Sequence, residues 1–102
     1  MHVRRTYRES SVEQEVRIYQ KTPRIDFLTR VDWKARNVLL KAAFPVDIRT
    51  SAATFEVQFA TVTRPTHQNT SWEQAQFEVC AHRWADLSEA GYGVSLLSDS
   101  KY

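Results

Sequence analysis

The side chains of this 102-residue chain that could carry chemistry are three histidines, one cysteine and twelve carboxylates. A metal site needs ligands brought together at short, regular spacings. His2, His67 and His82 offer none: no two stand at i, i+4 on a helix, and none has a carboxylate at a recognised ligand spacing. They read as loop or surface histidines, and no metal ligand is expected in this chain. Cys80, alone, excludes an intramolecular disulfide framework and a multi-cysteine zinc site, and reads as a small buried hydrophobe on or beside a strand. Asp26 and Asp32 share a strand face, but six residues of extended chain put them about 20 Å apart. That is too far to flank one glycosidic bond. They alternate with Arg24 and Arg30, which makes a solvated or salt-bridged face the expectation. There is no Gly-x-Ser-x-Gly elbow and no phosphate-cradling loop, so no catalytic residue is expected.

Binding residues are better represented. Aromatic side chains make up 12% of the chain and include Trp33, Trp72 and Trp84. Most tryptophans of a small β-domain are core, but Trp72 follows a long polar stretch at a rim, which makes it the best aromatic for a contact. Asn69-Thr70-Ser71 matches the glycosylation sequon, which has no meaning in a cytoplasmic protein. The formal charge of +2 is too mild to imply a polyanionic partner.

These residues must be held by β-structure. Alternation dominates residues 24–33, where Ile25, Phe27, Val31 and Trp33 share one face, and residues 54–62, where Phe55, Val57 and Phe59 do. Further strands are expected over 12–19, 38–44 with Val46 and Ile48 continuing, 75–84 and 93–98. Residues 34–37 read as a hairpin loop and 63–72 as a long polar loop. Residues 84–93 read as a second loop with one helical turn at 85–89. The class expected is all-β, an antiparallel β-sandwich spanning 1–102 as a single domain or fragment. Its core would be Ile25, Phe27, Val31, Trp33, Phe55, Val57, Phe59, Phe77 and Val79. Hydrophobic residues at 42% and charged residues at 25% are globular proportions. No apolar run approaches the roughly 18 residues of a membrane span. The basic start, Met1-His2-Val3-Arg4-Arg5, leads into no signal-length apolar stretch, so the cytoplasm is the default expectation. Two glycines, where average usage near 7% gives about seven, suit a piece of something longer better than an independent all-β domain.

The blocks Arg24-Ile25-Asp26-Phe27, Val31-Asp32-Trp33, Leu39-Leu40-Lys41 and Phe44-Pro45-Val46 resemble the C-terminal β-region of glycoside hydrolase family 38 α-mannosidases, and look closest to their bacterial and cytosolic branch. The resemblance continues through Arg64-Pro65-Thr66-His67, Asn69-Thr70-Ser71-Trp72, Phe77-Glu78-Val79, residues 82–89 and Gly91-Tyr92-Gly93-Val94-Ser95-Leu96-Leu97. It covers nearly everything from about Ser11 onward. Three departures stand out: Ser100 where the branch has cysteine, Ala60 where glycine is common, and the absence of the N-terminal catalytic domain.

The resemblance implies a part of a galactose mutarotase-like supersandwich. It also implies a parent that is a retaining, zinc-dependent exo-α-mannosidase acting on terminal α-mannose. No catalytic residue or zinc ligand of that parent transfers to this chain, which would be inactive alone and need no cofactor itself. The segment 97–102 would border the sugar site, with Asp99 the reaching residue and Tyr92 and Lys101 beside it. His67, Asn69 and Trp72 are expected at an interface with the catalytic domain. The partners implied are that domain and an α-mannoside or oligosaccharide, with no nucleic acid and no membrane; an oligomer is possible. Two rivals remain. A free-standing carbohydrate-binding module would use Trp72, Trp84 and Tyr92 as a platform. A nucleic-acid-binding domain would use Arg4, Arg5, Arg8 and Lys101, with steep salt dependence.

Overall fold

The computed structural model describes residues 1–100. Seven strands and one short helix follow in the order β1 (His2–Tyr7), β2 (Ser10–Ile18), β3 (Ile25–Asp32), β4 (Ala52–Val57), β5 (Ala60–Pro65), α1 (Ser71–Gln74), β6 (Trp84–Glu89) and β7 (Tyr92–Leu97). The expected all-β, antiparallel class holds: there are two antiparallel sheets, ordered β1-β2-β3 and β5-β4-β6-β7, the components from which an all-β sandwich is made. They fall in separate compact units, Met1–Ala42 and Ala43–Tyr102.

In the first unit the register sorts side chains by polarity. Val12 pairs with Val31, Val16 with Phe27 and Ile18 with Ile25, and Val3 joins them from β1 opposite Gln14. Because side chains alternate along a strand, these residues share one apolar face. The opposite face is charged, with Arg17 bound to Glu15 at 2.8 Å, Arg24 to Asp26 at 2.6 Å and Arg4 beside Glu13 at 3.5 Å. Asp26 thus sits on the expected salt-bridged face, while Asp32 pairs with Lys34 at 3.3 Å rather than with Arg30. Strand β1 carries Arg4 and Arg5 on a sheet edge, where charge discourages further strand pairing. The same charge hides it from a periodicity reading.

The second sheet divides likewise. Phe55 lies between Val62 and Ala85, and Ala85 opposite Leu96, which builds an apolar face completed by Leu87 and Val94. The reverse face carries Thr54, Thr63, Asp86 and Ser95. Asp86 accepts from the Ser88 and Ser95 hydroxyls, each at 2.7 Å, and these donors hold its carboxyl below the usual range against a smaller opposing push from burial.

Several expected elements are corrected. Residues 54–62 are not one strand but a hairpin, in which Val57 pairs with Ala60 across the turn Gln58–Phe59. Residues 38–48 and 75–81 form no strand; the first is an apolar run and the second alternates, but neither has a partner ladder to satisfy its backbone. Residues 84–89, expected as a loop with a helical turn, are strand β6, and the helical turn lies instead at Ser71–Gln74. Glycine scarcity is met by other residues taking left-handed backbone: Arg8 (φ 53°) and Phe59 (φ 60°) turn the β1–β2 and β4–β5 hairpins, and only the β6–β7 turn uses glycine, Gly91 at φ 84°.

The expected core is also corrected. Phe59 is fully exposed, Phe77 is 78% exposed and Phe27 60%, with Ile25, Val31 and Val79 exposed as well; Trp33, Phe55 and Val57 are half-buried. Among the described residues no hydrophobic side chain is fully buried. Each unit is a single sheet, and one layer cannot enclose its own apolar face. Cys80, expected buried, is exposed as well.

Ser10, 2% exposed, is the one buried residue among those described. Its hydroxyl oxygen accepts from the backbone N–H of Lys34 at 2.9 Å and of Ala35 at 3.0 Å, fastening the exit of β3 to the start of β2. Ser10→Ala removes one acceptor from two part-buried donors and should cost about 1–3 kcal/mol. Amide exchange at Lys34 and Ala35 should accelerate in the variant; unchanged protection there would show that the hydroxyl is not the fastening.

Candidate functional site

Two places in the second unit gather the polar and aromatic side chains singled out in the sequence. The first is a cleft of about 660 Å³ at the end of the sheet where β6 begins and β7 ends, lined by Glu56, Arg83, Trp84, Leu97, Ser98 and Asp99. Trp84 and Leu97 are register partners. The cleft therefore combines an indole, an aliphatic side chain, two carboxylates and a guanidinium. Glu56 accepts from Arg83 through both side-chain oxygens: Oε1 from Nη2 at 2.8 Å and Nε at 3.1 Å, Oε2 from the backbone N–H at 2.8 Å. The Arg83 side-chain donors hold the Glu56 carboxyl below its usual range, over the opposing effect of burial. With Glu56 and Arg83 engaged with each other, the Asp99 carboxylate and the Trp84 indole are the lining groups suited to orient hydroxyls and receive a sugar ring.

The second place is the loop ahead of α1. Thr70 caps the helix: its hydroxyl accepts from Glu73 N–H at 3.3 Å, while Glu73 Oε2 accepts from Thr70 N–H at 3.0 Å and from Asn69 N–H at 2.7 Å. This is a reciprocal capping box. His67 Nδ1 lies 3.3 Å from Glu73 Oε2 and 3.3 Å from the Asn69 side-chain nitrogen. Burial pushes the Glu73 carboxyl up, but the Asn69 and Thr70 N–H donors and His67 outweigh it, leaving the group lowered. The loop is thus held internally while Trp72 stands 82% exposed.

The structure brings Asp99 into the cleft and His67 and Asn69 together around Glu73. Tyr92 is elsewhere: it pairs with Glu89 at the β6–β7 turn, about 17 Å along the strand from the cleft, and on the opposite sheet face from Trp84. Lys101 lies outside the described residues. Trp84 and Tyr92 therefore do not form one stacking platform, which removes the geometric basis of the binding-module alternative. Sequence reasoning missed Glu56 and Arg83, since nothing in the alternation announces the β4–β6 register. It also missed the capping box, although Thr70-x-x-Glu73 is a legible helix-start signal. Among the described residues no three His, Cys, Asp or Glu side chains come close enough to hold a metal ion. No helix among them is long and apolar enough to cross a membrane.

Comparison with known proteins adds an independent finding. The profile of the glycosyl hydrolases family 38 C-terminal domain matches residues 1–102. The chain is 50% identical over 93 residues to human alpha-mannosidase 2C1, covering 91% of this chain and 9% of that protein. It is 53% identical over 83 residues to an alpha-mannosidase of Saccharomyces cerevisiae, covering 80% and 8%. To alpha-mannosidase G of Dictyostelium discoideum it is 47% identical over 92 residues, covering 90% and 8%. The chain spans about a tenth of the length of these curated relatives. All three are eukaryotic, so the bacterial half of the expected branch is without support.

The capping box has a pH dependence whose sign is fixed. A carboxyl whose folded pKa is depressed stabilises the fold fully above its ordinary value and loses that contribution as pH falls through the lowered one. Amides of Asn69 and Thr70 should therefore keep their protection from neutral pH down to about 4.5 and lose it below. Glu73→Gln should weaken their protection at neutral pH and flatten the acid response. An acid response that persists in the variant would assign it to another group.

Proposed function

The chain belongs to the glycosyl hydrolases family 38 C-terminal domain, and on that footing we propose that it is the part of a retaining, zinc-dependent exo-α-mannosidase that borders the sugar site. The single observation that carries the reading is the cleft that collects Asp99 with Glu56, Arg83 and Trp84, in a chain whose relatives are named alpha-mannosidases. In this reading Asp99 accepts hydrogen bonds from sugar hydroxyls, and Trp84 with Leu97 supplies apolar surface against a ring. The nucleophile, the acid/base carboxylate and the zinc ligands belong to the remainder of the parent; the described residues here do not make a metal site. There one carboxylate attacks the anomeric carbon while the other serves as acid and then base, as in retaining glycosidases generally. The substrate is a terminal α-mannoside.

The rest of the parent is also the partner. Apolar faces left open on both sheets support packing against it, and the internally hydrogen-bonded loop with Trp72 exposed supports His67, Asn69 and Trp72 at that interface. A large aromatic presented on a fixed loop is the usual anchor of an interface. A cytoplasmic setting is proposed with it.

Two outcomes follow. The 102-residue chain, assayed alone with an aryl α-mannoside and added zinc, should show no turnover. In the full-length protein Asp99→Ala should lower kcat/KM by at least about 10-fold, since a hydrogen bond to a charged group is worth roughly 1.5–3 kcal/mol. Turnover by the purified chain would sink the division of labour. Unchanged kinetics with a reduced melting temperature would make Asp99 structural.

A further inference from the structure

Toward the cleft the β4–β6 ladder gives way to a side chain. The registered pairs are Thr54 with Asp86 and Phe55 with Ala85. Beyond them Glu56 takes over, its backbone carbonyl accepting from His82 N–H at 2.8 Å. Its carboxylate accepts from the Arg83 backbone N–H at 2.8 Å and from Nε and Nη2 of the guanidinium at 3.1 and 2.8 Å. On its other side Arg83 offers its backbone carbonyl to Ser98 N–H at 2.7 Å. Ser98 lies one residue past β7 and one before Asp99, so this bond reaches the chain after its strand has ended. The Glu56 side chain is 13% exposed and that of Arg83 70%: the acceptor is shielded and the donor borders the cleft. Charge-assisted bonds that bring two guanidinium donors onto one oxygen and the backbone N–H onto the other fix orientation as well as distance.

We propose that Glu56 and Arg83 are positioning residues: a strut from β4 through Arg83 to Ser98 that sets Asp99 at the cleft. The proposal rests on the role given to Asp99 above, and it adds two residues that act on substrate through Asp99. Glu56→Gln keeps the size of the side chain, removes its charge and turns one acceptor into a donor facing the guanidinium. Arg83→Lys keeps the backbone bonds and the charge but loses the two-point grip.

The test uses the full-length protein and two readouts. Amide exchange at Ser98, whose N–H donates to the Arg83 carbonyl, should quicken by about 10-fold or more in Glu56→Gln, and less in Arg83→Lys. With an aryl α-mannoside, Glu56→Gln should lower kcat/KM, and Glu56→Gln combined with Asp99→Ala should be no worse than Asp99→Ala alone, because both act through one contact. Unchanged exchange at Ser98 overturns the strut. Quickened exchange with losses that multiply in the double variant also overturns it, since Glu56 would then act on turnover by another route. If Asp99→Ala alone leaves kcat/KM intact, the role of Asp99 fails, and the strut is decided by exchange alone. Should Glu56→Gln fail to fold, Arg83→Lys carries both readouts with the same criteria.

Discussion

Everything in this chain depends on apolar sheet faces that their own units do not cover. Each unit is one antiparallel sheet, sorted by register into an apolar and a polar face, and no hydrophobic side chain among the described residues is fully buried. Apolar surface kept in water forgoes about 25 cal/mol for every Å² that could be buried. For single sheets this small, that forgone burial is the difference between a stable fold and a marginal one. In the proposed reading the cover comes from the rest of a parent polypeptide about ten times longer, and the sheets are laid out for that docking rather than for independence.

Polar bonds supply locally what a core does not. Ser10 closes the exit of β3, Asp86 gathers Ser88 and Ser95 on the polar face of β6, and Glu73 organises the loop that presents Trp72. The Glu56–Arg83 pair does the same at the cleft, where the backbone ladder gives out. Ser10 apart, these contacts are exposed and each contributes little to global stability. Their effect is on where particular residues stand, and that is what a site at the edge of a larger enzyme needs.

The sequence made the class legible and the register obscure. Alternation over residues 24–33 identified β3 because its two faces differ so sharply in polarity. The same signal over 54–62 ran through a hairpin: Phe59 continues the pattern of Phe55 and Val57, yet sits at φ 60° in the turn. No glycine marked that turn, because a bulky residue occupies the left-handed position. Phe77 and Val79 alternate as well, but a strand also needs a neighbour, and pairing is long-range information. Asp99 was placed by resemblance. Glu56 and Arg83, 27 positions apart, were invisible until β4 and β6 lay side by side.

The central claim is that neither unit covers the apolar face of its own sheet, so that in the proposed reading the rest of the parent does. Amide exchange along β2 and β3 under a urea series decides it when the isolated chain is compared with the full-length protein. The account predicts strong protection of the Val12, Val16, Leu28 and Arg30 amides in the full-length protein, the positions whose N–H groups face a neighbouring strand. In the isolated chain it predicts weak protection and no cooperative transition. A sharp cooperative transition in the isolated chain, with those amides protected to the same degree in both, would mean that the chain closes its own core, and would contradict the claim.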